Sequence, residues 1–313
     1  MLTRQLKTFL ALLLPLCAGA APFAYVPNEG SGTLSVIDTA TDQVLTEIAA
    51  GKKPRGTVIS LDGKLAYVSD QAGNQLVLLD LQARKAIASI DLGESPEGVG
   101  ISPDGRWVVA AIEESNEVVF VDTRTQSKAF GVSLKGKNPE HAVFSPDGLQ
   151  VFVSAEEGEA VDVIDVAARR QIGQIAVGAR PRGIGFSPDG RRAYVAAENA
   201  SELYVIDRAS LSISAKIPAG LRANGIAVSP DGRQVYISNG GAASVSVLDS
   251  ASLQIVATIA VGARPWNMAL TPDGKKLYVA CGRAGTVSVI DTESRRKLSD
   301  IAVGKLPWGV AIR

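Results

Sequence analysis

The sequence predicts an all-β protein, a seven-bladed β-propeller made of four-stranded antiparallel blades. The first observation behind this prediction is a strand ending in two apolar residues and an aspartate, which recurs about every 42 residues. A constant interval of this length, with several short strands per unit, is typical of propellers. The seven triplets are Val36-Ile37-Asp38, Leu78-Leu79-Asp80, Phe120-Val121-Asp122, Val163-Ile164-Asp165, Val205-Ile206-Asp207, Val247-Leu248-Asp249 and Val289-Ile290-Asp291.

The second observation is a tight turn between two apolar strands, present six times. In residues 61–63 it reads Leu-Asp-Gly, and elsewhere it reads Ser-Pro-Asp-Gly or Thr-Pro-Asp-Gly. Proline suits the first central position of a type I turn, and glycine accepts the positive φ that follows. We therefore interpret the turn aspartates as structural. The longer turns occupy residues 102–105, 145–148, 187–190, 229–232 and 271–274.

Within one repeat, residues 51–93, the pattern predicts a loop up to residue 56. Strands are predicted over 57–60, 65–70, 75–79 and 86–92. The second strand carries one large side chain in nearly every repeat, which indicates packing between blades rather than a cofactor site. This column consists of Tyr25, Tyr67, Val109, Phe152, Tyr194, Tyr236 and Tyr278.

The two chain ends are predicted to complete one blade. Residues 23–26 read as a second strand without an inner strand before it, and residues 310–313 read as an inner strand without a hairpin after it. Each would otherwise expose an unpaired strand edge. Pairing of the two ends therefore closes the ring.

Residues 1–20 are predicted to form a secretory signal peptide, and residues 21–313 the propeller. Arg4 and Lys7 precede a short apolar run, and Ala18-Gly19-Ala20 supplies the small residues of a cleavage site. We therefore expect a periplasmic or secreted protein, cleaved near Ala20 and without a membrane span. Cleavage removes Cys17 and leaves Cys281, whose role the sequence does not define, without a disulfide partner.

The charge balance argues against nucleic acid as a partner. Lys and Arg together number 32, as do Asp and Glu, so the formal net charge is zero. Nucleic-acid binding normally requires a basic excess.

One irregular column is predicted to line the mouth of the central tunnel. It is the position that follows the loop proline, or Ala223 in the fifth loop, and it differs between repeats although the scaffold repeats. His141 and Asn267 also replace a glycine one position further on. We predict that these residues form either a ligand- or partner-binding mouth or a solvated channel rim: Arg55, Glu97, Glu140, His141, Arg182, Asn224, Trp266, Asn267 and Trp308.

Neither a catalytic set nor a metal site stands out in the sequence. His141 is the only histidine, so a multi-histidine zinc site is excluded. Acidic residues are concentrated in the loops between second and third strands of three consecutive repeats. Such carboxylates suit a divalent cation, a basic partner or a solvated surface. They are Glu113, Glu114, Glu156, Glu157, Glu159 and Glu198.

The second strands Ala-Tyr-Val-Ser-Asp (66–70), Val-Tyr-Ile-Ser-Asn (235–239) and Leu-Tyr-Val-Ala-Cys (277–281) resemble the repeats of YVTN-type seven-bladed propellers. With seven repeats behind a signal peptide, the chain is most similar to the periplasmic propellers that accompany alcohol catabolism dependent on pyrroloquinoline quinone (PQQ). This resemblance implies a context, with a PQQ-dependent dehydrogenase or a cytochrome as partner, and no established activity.

The first functional hypothesis is a non-enzymatic periplasmic binding or scaffold protein accessory to that catabolism. The alternative is a hydrolase or isomerase acting on a lactone-like molecule, since related propellers include such enzymes. A third hypothesis is a protein that handles a haem or quinone cofactor. No cofactor can be assigned from the sequence.

Overall fold

The computed structural model describes residues 22–313, which form seven four-stranded antiparallel sheets. The predicted seven-bladed propeller is therefore confirmed. The predicted signal peptide lies outside the described residues. Within the described part, no helix is long and apolar enough to cross a membrane.

Blades 2 to 4 each run from an inner strand at the tunnel to an outer strand at the rim. Blade 2 also contains a 3₁₀ turn, Gln71–Gly73. The strands are β4 (Pro54–Ile59), β5 (Leu65–Asp70), β6 (Gln75–Asp80) and β7 (Lys85–Asp91) in blade 2; β8 (Pro96–Ile101), β9 (Trp107–Ile112), β10 (Glu117–Asp122) and β11 (Ser127–Ser133) in blade 3; and β12 (Pro139–Phe144), β13 (Gln150–Ala155), β14 (Ala160–Asp165) and β15 (Arg170–Ala176) in blade 4.

Blades 5 to 7 repeat the same order. Their strands are β16 (Pro181–Phe186), β17 (Arg192–Ala197), β18 (Glu202–Asp207) and β19 (Ser212–Pro218) in blade 5; β20 (Ala223–Val228), β21 (Gln234–Asn239), β22 (Ser244–Asp249) and β23 (Gln254–Ala260) in blade 6; and β24 (Pro265–Leu270), β25 (Lys276–Cys281), β26 (Thr286–Asp291) and β27 (Arg296–Ala302) in blade 7.

Blade 1 combines both ends of the described chain, as predicted. It contains β1 (Phe23–Asn28), β2 (Thr33–Asp38), β3 (Gln43–Ala49) and the C-terminal strand β28 (Ala311–Ile312). Ala24 pairs with Ile312, and Phe23 and Arg313 exchange two backbone hydrogen bonds of 2.8 and 3.0 Å. The ring is thus closed by a strand from each end.

The cores lie between neighbouring blades. The large column of the second strands, such as Tyr194 and Tyr278, is almost fully buried in these layers. In the layer that closes the ring, Ala24 and Ile37 of blade 1 pack with Tyr278 and Val287 of blade 7. Apolar side chains on both faces of a blade are therefore buried, which explains the near-continuous apolar strands.

The inner strand of blade 2 begins earlier than predicted. In blade 2 the strand starts at Pro54, whereas the sequence indicated a loop up to residue 56. The pairing of β4 with β5 is interrupted between Pro54 and Thr57 by a register shift. A bulge of this kind leaves residues out of the ladder and re-aims their side chains. In blades 2 to 7 the variable column therefore lies on the bulged ends of inner strands, whereas Trp308 precedes the inner strand of blade 1.

Candidate functional site

A cavity of about 410 Å³ opens at one end of the tunnel, and we call it the mouth cavity. A smaller cavity of about 130 Å³, the lower chamber, follows it in the tunnel. Arg55, Asn267 and Trp308 line both, so they separate the two. The mouth cavity is lined by Glu29, Arg55, Gln71, Glu113, Glu140, Glu156, Arg180, Arg182, Asn224, Arg264, Trp266, Asn267, Leu306 and Trp308.

The nine predicted mouth residues occupy three environments around the tunnel. Glu97 is fully buried behind Arg55 and does not line either cavity. His141 lines only the lower chamber. The remaining seven line the mouth cavity: Arg55, Glu140, Arg182, Asn224, Trp266, Asn267 and Trp308.

Two ion pairs connect neighbouring blades in the same way. Arg55 donates a hydrogen bond to Glu97, and Arg182 donates one to Glu140. Both carboxylates are buried. In each pair one residue of the variable column contacts the equivalent position of the adjacent repeat. Residues at equivalent positions of consecutive repeats are therefore in direct contact in the tunnel wall.

Glu198 is the centre of a larger charge cluster. It is fully buried and comes from the segment that follows the second strand of blade 5. Its Oε1 accepts hydrogen bonds from Arg222 Nε at 2.9 Å and Arg264 Nη2 at 2.6 Å. Its Oε2 accepts one from Arg182 Nε at 3.1 Å, and Arg180 Nε lies 3.4 Å away. We call Arg180, Arg182, Arg222 and Arg264 the arginine wall.

Burial and neighbouring charges raise the pKa of two carboxyl groups near the cavity and lower the pKa of two others. Burial and the nearby Glu140 raise the pKa of Glu97 well above its usual range. The same two causes raise the pKa of Glu156 to about 7. Burial would also raise the pKa of Glu140, but Arg182, His141 and Arg55 outweigh it and lower that pKa. Arg182 and Arg264 likewise lower the pKa of Glu198 against the effect of burial.

The imidazole of His141 stacks on the indole of Trp308 across the tunnel. Their ring centroids are 5.1 Å apart, with an interplanar angle of 30°. Trp308 precedes the inner strand of blade 1, and His141 lies in blade 4, nearly opposite in a ring of seven. Burial lowers the pKa of His141 to about 4, so the ring is neutral at pH 7. Trp308, Arg55 and Asn267 form the floor of the mouth cavity, and His141 supports Trp308 from the lower chamber.

Two glycines allow close packing around the mouth cavity. A Cβ on Gly98 would lie 2.6 Å from the Glu140 carbonyl oxygen, so glycine permits the inner strands of blades 3 and 4 to approach. A Cβ on Gly282 would lie 2.6 Å from Trp266 Cζ3. The indole of Trp266 therefore packs on backbone while it lines the mouth cavity.

The sequence hypotheses for the acidic loops need a correction. Glu156 and Glu198 do not form an open acidic patch, because they pair with the arginine wall. Glu113 lines the mouth cavity and accepts a hydrogen bond from Ser95 at 2.6 Å. Glu114, Glu157 and Glu159 are exposed. Within residues 22–313, no group of three or more His, Cys, Asp or Glu side chains is arranged to hold a metal ion.

Sequence reasoning missed Glu29 and three members of the arginine wall. Arg180, Arg222 and Arg264 recur about every 42 residues in consecutive repeats, one position before the loop proline or Ala223. That regular spacing was an available signal. Cys281, in contrast, is buried next to Ser288, and burial raises the pKa of its thiol.

The fold and the site together define a seven-bladed propeller with a charged cavity at the mouth of its tunnel. The chain belongs to the YNCE-like beta-propeller family, whose model matches residues 9–312. This membership agrees with the predicted YVTN-type propeller family. A search of the curated proteins gave no match.

Two solved structures show the same fold. A chain of Kuenenia stuttgartiensis hydrazine synthase is 24% identical, with a TM-score of 0.79, and the alignment covers 86% of this chain and 92% of that one. A protein of unknown function from Desulfotomaculum acetoxidans DSM 771 is 19% identical, with a TM-score of 0.83, and the alignment covers 93% and 98%. At these identities the likeness concerns the fold alone.

Proposed function

We propose that the protein binds a small polar ligand in the mouth cavity and does so without transforming it. The observation that carries this proposal is the set of buried charges around a cavity of about 410 Å³. Buried ion pairs contribute little net stability, because desolvation offsets their attraction. Blades 6, 7 and 1 place Asn224, Trp266 and Trp308 at the same column position. The ring therefore does not require charge there, and ligand recognition accounts for it.

The floor supports the same proposal. Arg55, Asn267 and Trp308, with His141 stacked on Trp308, lie between the mouth cavity and the lower chamber, so a ligand in the mouth cavity meets a constriction below it. Polar side chains that converge at such a constriction fix the orientation of a small molecule.

Native mass spectrometry of the protein purified from its own host tests this proposal. The expected result is a mass above that of the polypeptide, which disappears on denaturation and in the double variant Trp266→Ala/Arg264→Gln. The matched control, Asp231→Ala/Arg233→Gln, changes an exposed hairpin and should retain the extra mass. If the native protein has the polypeptide mass even after incubation with host extract, ligand binding is contradicted.

The finer assignment, a periplasmic accessory of PQQ-dependent alcohol catabolism, rests on the sequence resemblance. We propose it as the physiological context, with a periplasmic dehydrogenase or cytochrome as the partner. Cross-linking in intact cells followed by mass spectrometry tests it. Recovery of such a redox protein supports the assignment, and a cytoplasmic location of the protein would contradict it.

One observation favours an enzyme as the second candidate. Glu156 lines the mouth cavity and has a pKa of about 7, which suits a general acid or base at neutral pH. A hydrolase or isomerase of lactone-like molecules would use this group. Turnover of a lactone panel that is lost in Glu156→Gln and retained in Glu157→Gln would favour the enzyme over the binding protein.

A further inference from the structure

The arginine wall contains more positive charge than its carboxylates compensate. Four guanidinium groups converge on the single carboxylate of Glu198, and Arg180 and Arg182 also pair with Glu156. Glu140 adds one more carboxylate, through Arg182. Four cations thus face three carboxyl groups. Arginine keeps its proton throughout the physiological range, so an excess of positive charge remains in blades 5 to 7.

Part of this charge is directed at the mouth cavity. The Arg264 side chain is 13% exposed and lines the cavity, and within residues 22–313 its only hydrogen bond uses Nη2. Arg180 is 37% exposed, lines the cavity and approaches its carboxylates most closely through Nε. Since a guanidinium has five N–H donors, donors of both residues remain available to a ligand.

A flat aromatic surface lies next to these donors. Trp266 is two residues after Arg264 and packs on the backbone of Gly282, so neighbouring structure fixes the plane of its indole. The indole lines the same cavity as Arg180 and Arg264. Aromatic rings stack on such a surface with an offset geometry. Fixed guanidinium donors next to an indole suit a planar molecule that carries an acidic group.

The other side of the cavity has the opposite charge. Glu29 and Glu113 line it from blades 1 and 3. Glu29 pairs with Arg55, whereas the carboxylate of Glu113 accepts a hydrogen bond only from the neutral Ser95 among the described residues. An anionic group is therefore repelled from Glu113 and attracted to the arginine wall. The two walls fix the direction in which a charged ligand enters.

We propose that the ligand of the mouth cavity is an aromatic carboxylate, with its acidic group on Arg180 and Arg264 and its ring against Trp266. This inference rests on the proposed binding function and specifies the chemical class of the ligand. Its acidic group supplies the negative charge that Glu198, Glu156 and Glu140 together leave lacking. Recognition requires both the acidic group and the ring. An aliphatic anion would lack the contact with Trp266, and a neutral aromatic molecule would lack the contact with Arg180 and Arg264.

Isothermal titration calorimetry with three probes of one ring geometry tests the class. The probes are benzene-1,3-dicarboxylate, the neutral benzene-1,3-dicarboxamide and the dicationic 1,3-bis(aminomethyl)benzene. The expected result is that only the dicarboxylate binds, more weakly as salt concentration rises. Arg264→Gln should weaken its binding about tenfold or more, because a charge-assisted hydrogen bond is lost. Arg233→Gln, in an exposed hairpin, should leave the affinity unchanged.

A second pair of variants separates stacking from folding. Trp266→Phe keeps an aromatic surface and should retain most of the affinity, whereas Trp266→Leu should lose it while melting at a similar temperature. If the Leu and Phe variants bind equally, the stacking part of the proposal is overturned.

The remaining outcomes also decide the proposal. Binding of the amide or the diamine as tightly as the dicarboxylate would overturn the anion class and leave the binding function standing. Absence of binding by all three would overturn the aromatic carboxylate, and the native mass measurement would judge the binding function independently.

Discussion

The two ends of the inner strands differ: the hairpin end carries nearly the same residues in every blade, and the cavity end does not. At the hairpin end, a serine or threonine hydroxyl donates to the turn aspartate in all six hairpins, at 2.5 to 2.7 Å. At the cavity end, the equivalent positions carry arginine, glutamate, asparagine or tryptophan. The hairpin end therefore keeps one structural solution in every blade, whereas the residues at the cavity end differ from blade to blade.

The hairpins also show what a purely structural carboxylate looks like. Asp189 accepts hydrogen bonds from Ser187 and from the backbone of Arg191, which lower its pKa although it is exposed to water. Glu156 and Glu97 are different, because burial and a neighbouring carboxylate raise their pKa values. Of the two, only Glu156 lines the mouth cavity, and a carboxyl group with a raised pKa in a cavity is typical of functional sites.

The largest expected effect breaks the regular part of the molecule. Deleting residues 310–313 removes the strand that pairs with β1 and exposes an edge in blade 1. We expect a melting temperature lower by more than about 10 °C, or aggregation, measured by circular dichroism. The control Arg313→Ala keeps the backbone hydrogen bonds to Phe23. If the truncated chain melts like the full chain, the closure does not stabilise the ring.

The next effect concerns the irregular end. Glu198→Gln leaves the arginine wall without its shared carboxylate, and removal of one buried partner typically costs about 3 kcal/mol or more. Chemical denaturation should show this loss. Glu113→Gln, which alters a cavity carboxyl group bound only by Ser95 among the described residues, should change stability far less. Equal effects of the two substitutions would mean that the wall does not depend on Glu198.

A smaller effect depends on pH. The folded pKa of Glu156 is about 7 against an ordinary value of 4.5, so its stabilising contribution is present at low pH and is lost as pH rises through about 7. Glu156→Gln should therefore be more stable than wild type at pH 8, on the order of 1–3 kcal/mol, and similar at pH 4.5. Denaturation series at both pH values measure this difference. The exposed Glu157→Gln should show none.

His141 should show the reverse pH dependence. Its folded pKa of about 4 lies below the ordinary 6.5, so its contribution is lost as pH falls from 6.5 towards 4. Replacement by the uncharged His141→Gln should reduce the acid sensitivity of melting below pH 6. A wild-type pH profile in this variant would contradict a buried neutral imidazole.

The smallest effect sharpens the regular side. Asp189→Ala, Asp231→Ala and Asp273→Ala remove the same hydrogen bonds from three hairpins, so each should lower the melting temperature by the same few degrees. Ligand binding should not change in any of them. Differential scanning fluorimetry can compare all three, and unequal losses would show that the hairpins are not equivalent.

The fold was predictable from the sequence because the same pattern of strands and turns recurs in every repeat. The interval of the aspartate triplets gave the number of blades, and the unmatched strands at residues 23–26 and 310–313 gave the closure. The predicted start of the inner strand of blade 2 was wrong by three residues, because the bulge after Pro54 interrupts the pairing with the next strand.

The candidate site was predictable by position but not by contact. The variable column identified Arg55, Glu140 and Trp266 as residues of the tunnel wall. It did not reveal that Arg222 and Arg264 reach one carboxylate in another blade, because a long side chain ends far from its backbone. Nor did it distinguish Glu140 from His141, adjacent residues that line different cavities.

The stacked rings of His141 and Trp308 have a kinetic consequence. Because Trp308 lies between the mouth cavity and the lower chamber, a molecule in the mouth cavity reaches solvent most directly through the mouth. A protein docked over the mouth would therefore slow release of the ligand without contacting it. The residence time of the ligand can then depend on the docked protein, while the selectivity of binding depends on the residues that line the mouth cavity.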